Sequence, residues 1–217
     1  MTIQERFSKE DLERIKAAVN EAESKISGEI VPVFVERSAH YTIANYRAAV
    51  LGATFVFMLL VLFDRYAPAL SVHDPVLMFT FVVLGGIIGA LKSHYISIVK
   101  RMMLNQDHFD AATRQRANTM FLEEEVFNTA QRTGIMIFIS FFEREVIVMA
   151  DTGISKVVDQ KEWDNLVRII IEHTRKGKIT DGIVLAIKRC GEILLEKGFV
   201  ISPDDVNELK DDLRLEN

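Results

Sequence analysis

At 217 residues, with a net charge of -5 and a pI near 5.6, the chain is long enough for one domain with its own core and carries no block of basic residues. Electrostatic capture of nucleic acid is therefore set aside. The only cysteine, Cys190, excludes a disulfide framework and a cysteine-based metal site, and it reads as a small packed apolar residue.

The N-terminal stretch Met1 to Arg14 is polar and charged, without the pattern of a signal or transit peptide, so the first apolar run is expected to act as the targeting signal. Ser8-Lys9-Glu10-Asp11 resembles a capping box. Leu12, Ile15, Val19, Ala22 and Ile26 then recur at helical spacing, predicting a helix that ends at Gly28. Glu29 to Val35 is short, β-branched and almost continuously apolar, the pattern of a strand buried on both faces. Pro32 within it argues for an edge or a bulge.

Two runs without a charged side chain follow, Ala48 to Phe63 and Pro75 to Leu91, joined by Asp64 to Asp74. Each, with its flanks, approaches the roughly 20 residues that a helix needs to cross about 30 Å of hydrocarbon. Burying two such helices in a soluble core would require more surrounding chain than this protein has, so the pair reads as a transmembrane hairpin. Tyr46, Tyr66 and Tyr95 stand at the expected interfaces. Arg37, Arg47, Lys92, Lys100 and Arg101 lie on the domain side and Arg65 alone in the turn, which places both termini in the cytoplasm by the positive-inside rule. Gly85, Gly86, Gly89 and Ala90 allow close approach of another helix, the first membrane helix or, alternatively, a second copy through Gly85 and Gly89. No ionisable group lies mid-span, which disfavours a channel or transporter.

Beyond the hairpin, Phe109 to Thr129 is predicted as an amphipathic helix, and Ile135 to Phe141 and Glu145 to Ala150 as the two strands of a β-hairpin. Helices follow over Lys161 to Lys176 and Thr180 to Lys197, closed by Gly177 and Gly198. Ser202-Pro203 opens a last acidic helix with Val206, Leu209 and Leu213 as its narrow apolar stripe. The domain reading is a single discontinuous α/β domain over residues 1–45 and 100–200, a hairpin over 46–99, and the acidic helix over 201–217. The first strand precedes the hairpin and its expected partners follow it.

Phe7 with Asp11-Leu12, then Ser27-Gly28-Glu29-Ile30, Arg132-Thr133-Gly134-Ile135-Met136-Ile137, Asp151-Thr152-Gly153-Ile154, Trp163 and Gly182-Ile183 occur in an order that resembles the TPM domain family. The resemblance spans about residues 5 to 200 outside the hairpin. It implies a compact α/β sandwich with a small central β-sheet flanked by helices, in proteins that are usually membrane-tethered, often with the domain outside the cytoplasm. Some members are linked to phosphatase activity, some to divalent cations, and photosynthetic ones to photosystem repair. This chain departs from the family pattern in lacking a signal peptide and in carrying its membrane helices inside the domain. It also has Thr133 where many members have asparagine, and Asp151-Thr152-Gly153 in place of Gly-Tyr-Gly.

If the first two strands pair in parallel and the third returns antiparallel, Glu29, Thr133 and Asp151 meet at one end of the sheet. Glu29 and Asp151, with Asp181 at a helix start, could then hold Ca²⁺ or Mg²⁺ through oxygen ligands, and such a metal would polarise a phosphoryl group. The same residues also suit solvated strand ends and a favourable charge at a helix N-terminus. No phosphate loop, His-Glu-x-x-His, Asp-x-Asp or Cys-x₅-Arg motif is present, and the five histidines are scattered. The sequence thus favours a membrane-anchored α/β module that binds another membrane protein or its assembly intermediates. The rival is a metal-dependent phosphatase of low specificity.

Overall fold

A short helix, α1 (Ile3–Arg6), leads into α2 (Lys9–Glu23). The start of α2 is the capping box read from the sequence: the Asp11 N–H donates to Ser8 Oγ at 3.1 Å and the Ser8 N–H donates back to Asp11 Oδ2 at 3.0 Å. Its inward stripe is Ile15, Ala18, Val19 and Ala22. The helix stops at Glu23 with Ser24 as its cap, earlier than the expected Gly28. Gly28 serves a different need, since a Cβ there would sit 3.2 Å from both Leu194 Cδ1 and the Thr133 carbonyl oxygen. The computed structural model describes residues 3–201, 208–209 and 213–216.

Strand β1 (Glu29–Val35) is followed by α3 (Thr42–Tyr66), α4 (Pro75–Tyr95), α5 (Ser97–Met102) and α6 (Gln106–Glu123) before the chain reaches β2 (Gly134–Ser140) and β3 (Glu145–Ala150). Then come α7 (Thr152–Ser155), α8 (Gln160–Arg175), α9 (Ile179–Glu196) and β4 (Arg214–Glu216). The sheet order is β3-β2-β1-β4, with β1 parallel to both β2 and β4 and β3 antiparallel to β2. In this register Glu29 stands opposite Gly134, and Ile135 opposite Ala150.

Both faces of the sheet are covered, which is why β1 and β2 read as continuous apolar runs. On one face Ile30, Phe34, Ile135, Ile137 and Ile139 pack in a cluster with Ile15 and Val19 of α2, Trp163, Leu166 and Ile170 of α8, and Ile183, Ile187 and Leu194 of α9. On the other, Val31, Val33, Val35, Met136 and Phe138 pack with Ala117 and Met120 of α6 and with Val126. Pro32 sits in the interior of β1, opposite Ile137 on the β2 side, and faces a local edge of the sheet on its other side among the described residues. β4 pairs only with Val33 to Val35, and the neighbouring Ile30 N–H is taken up by Glu23 Oε1 at 2.7 Å, so the donor that Pro32 lacks falls where no described strand asks for one.

Helices α8 and α9 end at Gly177 and Gly198, both left-handed with φ of 72° and 88°. Helix α6 ends at Glu123, short of the expected Thr129. Its terminus has the same bonding pattern without a glycine: the Val126 N–H donates to the Phe121 carbonyl at 3.1 Å, the Glu125 N–H to Leu122 at 3.1 Å, and Glu125 takes the left-handed position at φ 51°. Of the expected acidic C-terminal helix, Ser202, Pro203 and Val206 lie outside the described residues, while Arg214–Glu216 is extended and pairs with β1.

The chain divides into two units, one of residues 1–38 and 110–217 and the other of residues 39–109, against expected boundaries at 45/46 and 99/100. The difference has a local cause: α3 already begins at Thr42, and the Tyr41 and Phe109 rings meet edge to face at 5.5 Å at the base of the second unit. Within this unit α3 and α4 are 25 and 21 residues long, about 37 and 31 Å at 1.5 Å per residue. Both have a mean hydropathy of 2.0, and only 6% and 17% of their most apolar stretches are buried. They are long and apolar enough to span a membrane. The glycines expected to allow close approach are spent on the pair itself: a Cβ at Gly52 would overlap the Gly85 carbonyl, one at Gly85 would lie 2.5 Å from Val56 Cγ2, and one at Gly89 would overlap the Ala48 carbonyl.

Candidate functional site

The end of the sheet where β1 and β2 begin and β3 finishes gathers the residues singled out in the sequence. The Glu29 N–H donates to the Thr133 carbonyl at 3.3 Å and the Asp151 N–H to the Gly134 carbonyl at 2.9 Å, so Glu29 and Asp151 flank the start of β2. Thr133 is buried, with its N–H held by Thr129 Oγ1 at 2.8 Å. Gly134 must be glycine, because any Cβ would overlap the Val126 carbonyl.

Asp151 is the centre of this end. Its side chain is 4% exposed, and it caps α7, with Oδ1 accepting the Thr152 N–H at 2.6 Å. The guanidinium of Arg132 approaches both oxygens, Nε to Oδ2 at 2.7 Å and Nη2 to Oδ1 at 3.2 Å. Arg132 reaches this position from a left-handed backbone, φ 58°, and its own carbonyl accepts the Gly153 N–H at 3.0 Å. Its guanidinium also lies 5.7 Å from the centre of the Phe127 ring. A buried carboxylate, a half-exposed arginine and a helix N-terminus thus form a latch between the loop before β2 and the turn after β3.

Glu29 Oε1 accepts the Glu208 N–H at 3.0 Å, and Glu208 Oε2 accepts the Ala130 N–H at 2.7 Å. Asp181 is placed elsewhere. It lies in the first turn of α9, where Arg14 Nη2 stands 2.7 Å from Oδ1 and holds the carboxyl below its usual range. The structure therefore brings Glu29 and Asp151 to one sheet end and leaves Asp181 outside it. Among the described residues no three His, Cys, Asp or Glu side chains converge as a metal site would require. Asp151 is engaged by a cation and a backbone donor, the arrangement of a structural latch.

The opposite end of the sheet holds a polar group with no motif to announce it. Glu143, 2% exposed, accepts the Ser38 N–H at 3.0 Å and a short hydrogen bond from Ser140 Oγ, while Ser38 Oγ donates to Ser140 Oγ at 2.9 Å. Beside it, Glu145 is pushed up to about 7, chiefly by burial, with the Asp110 carboxyl and the charges of Asp110 and Glu143 adding to the effect and the Thr113 hydroxyl opposing it. Only the fold could bring Asp110, at the start of a helix, to a residue on β3.

Residues 95–193 match the TPM domain family. Over this stretch the chain is similar to the TPM domain. The TPM match takes in the latch residues Arg132, Thr133, Asp151 and Gly153 and runs into α9, while α2 and β1, which complete the sheet and its cover, precede it. A similar solved structure is the NMR structure of BA42 protein from the psychrophilic bacterium Bizionia argentinensis sp. nov., with a TM-score of 0.59 and 18% identity over 98% of this chain and 97% of that one. This is a likeness of fold. No curated protein sequence matches the chain.

Arg132→Met removes the counter-charge of a buried carboxylate, and a loss of about 1–3 kcal/mol is expected in thermal or urea unfolding of the full chain. Asp151→Asn in that background should recover part of the loss, a non-additivity that fails if the two side chains do not interact. For Glu145, the folded state holds a proton that the unfolded state releases near the ordinary value of 4.5. Stability should consequently fall as pH rises from about 4.5 to about 7 and level off above it. Glu145→Gln should flatten this segment of the Tm profile and melt higher than the parent above pH 7; parallel profiles would contradict the assignment.

Proposed function

We propose that the protein is a membrane-anchored TPM module that binds another membrane protein or complex, with its domain at the cytoplasmic face of the cell (inner) membrane. The observation that carries this reading is the position of α3 and α4 in the chain. Two exposed helices, whose runs Ala48 to Phe63 and Pro75 to Leu91 carry no charged side chain, occupy the connection between adjacent parallel strands β1 and β2. An anchor placed there is tied to the domain by two chain segments instead of one. The cation bias, with Arg47, Lys92, Lys100 and Arg101 at one end of the hairpin and Arg65 at the other, supports the cytoplasmic placement.

A binding role is favoured over a phosphatase because Asp151, the carboxylate that catalysis would need, is committed to Arg132 and to the cap of α7. Divalent-cation dependence would require Arg132 to release it. Affinity purification from native membranes should recover a membrane protein with the chain, and turnover of a generic phosphoester that falls on Asp151→Asn would favour the phosphatase instead.

Sidedness has a direct test, because Cys190 is buried and its thiol is pushed up to about 12, so it gives little background labelling. A Ser71→Cys chain should react with a membrane-impermeant maleimide added outside the inner membrane. Labelling only after the membrane is opened would place the turn in the cytoplasm and reverse the topology.

A further inference from the structure

The membrane unit contains a groove that its own packing does not fill. It measures about 480 Å³ and is lined by Tyr46, Arg47, Val50 and Leu51 of α3 with Met102 and Met103 at the end of α5. Its size falls within the roughly 300–1,000 Å³ of ligand sites. The chain makes it by breaking the second membrane helix: Ile96 is extended, with φ -108° and ψ 104°, and α5 sets off again from Ser97. Tyr95, Ile98 and Met102 beside the break are 77%, 70% and 73% exposed, and Met102 shares the groove with Val50 and Leu51, from which the exposed Phe55 and Met58 continue along α3.

One feature of the lining is not apolar. Arg47 stands at the end nearer the start of α3, one turn before Val50 and Leu51, and it donates through Nη1 to the Met103 carbonyl at 2.8 Å. That hydrogen bond fixes the guanidinium at the rim, leaving further N–H groups of the fork for an acceptor outside the protein. Along α3 the groove therefore runs from a cation to a greasy surface within two turns. Lys92 adds exposed positive charge at the same end of the hairpin, where Lys100 is buried and Arg101 lies over the Phe109 ring, whereas the turn between α3 and α4 carries Asp64 and Asp74 with Arg65.

We propose that this groove is a binding site for one anionic glycerophospholipid of the bilayer, its acyl chain lying over Val50, Leu51 and Met102 and its phosphate meeting Arg47. The occupant follows from three properties together. The groove opens on a surface continuous with the apolar hairpin, its lining can adapt because two of its six residues are flexible methionines, and its single charged group is a cation at the interfacial end. A soluble apolar ligand would leave Arg47 without a partner of opposite charge, and a protein helix would need a wider apolar face. The inference rests on the membrane reading of α3 and α4.

The full chain, purified in mild detergent and stripped of lipid, is offered an equal mixture of phosphatidylglycerol and phosphatidylcholine with the same acyl chains, and retained lipids are counted by native mass spectrometry. One phosphatidylglycerol should be retained in preference. Arg47→Gln should reduce that adduct about fivefold, the worth of one cation near anionic lipid, while Arg47→Lys keeps most of it. Arg65→Gln, at the opposite end, should leave it unchanged. Met102→Asp should lower both lipids. Equal loss from Arg47→Gln and Arg65→Gln, or no preference in the parent chain, would overturn the site. Failure of the membrane reading looks different: the parent chain would stay monodisperse without detergent and retain neither lipid.

Discussion

The parallel pairing of β1 with β2 is the constraint from which the rest follows. Adjacent parallel strands cannot be joined by a tight turn and need a crossover of a dozen residues or more. Here residues 36–133 supply it, and they include α3 and α4 as well as α6, which covers one face of the sheet. A domain that had to send its chain away from β1 and bring it back to β2 has used that excursion to carry two apolar helices. Neither helix can be removed without shortening the connection on which the sheet depends.

Burial on both faces explains how much of this was legible. β1, β2 and β3 were readable to within a residue because a strand covered on both sides shows as a continuous apolar run, and α8 and α9 were bounded by glycines that take left-handed φ. The end of α6 was not, since Glu125 occupies the left-handed position that a glycine would have signalled. β4 was missed for another reason: three residues at Arg214–Glu216 carry no periodicity, and their pairing with Val33 to Val35 is a long-range event. The convergence of Glu29 and Asp151 could be deduced from strand directions alone. The partner of Asp151 could not, because Arg132 reaches it only through a backbone conformation that side-chain patterns do not encode.

Charge is arranged to hold the sheet at its ends. At one end the Asp151 latch ties the loop before β2 to the turn after β3; at the other, Glu143 is secured by Ser38 and Ser140, next to a Glu145 that ionises reluctantly. Each buried carboxylate in these groups has donors within hydrogen-bonding distance, as burial of a charge demands. This arrangement gives the buried carboxylates a part in holding the fold, whereas in the helical unit of residues 39–109 exposed apolar surface stands beside the Arg47 guanidinium.

The central claim is that lipid surrounds α3 and α4, and alkaline carbonate extraction of membranes containing the untagged full chain tests it most directly. The account predicts that the chain remains in the membrane pellet and is released only by detergent. Recovery of folded chain in the carbonate supernatant, or in the soluble fraction before extraction, would contradict it.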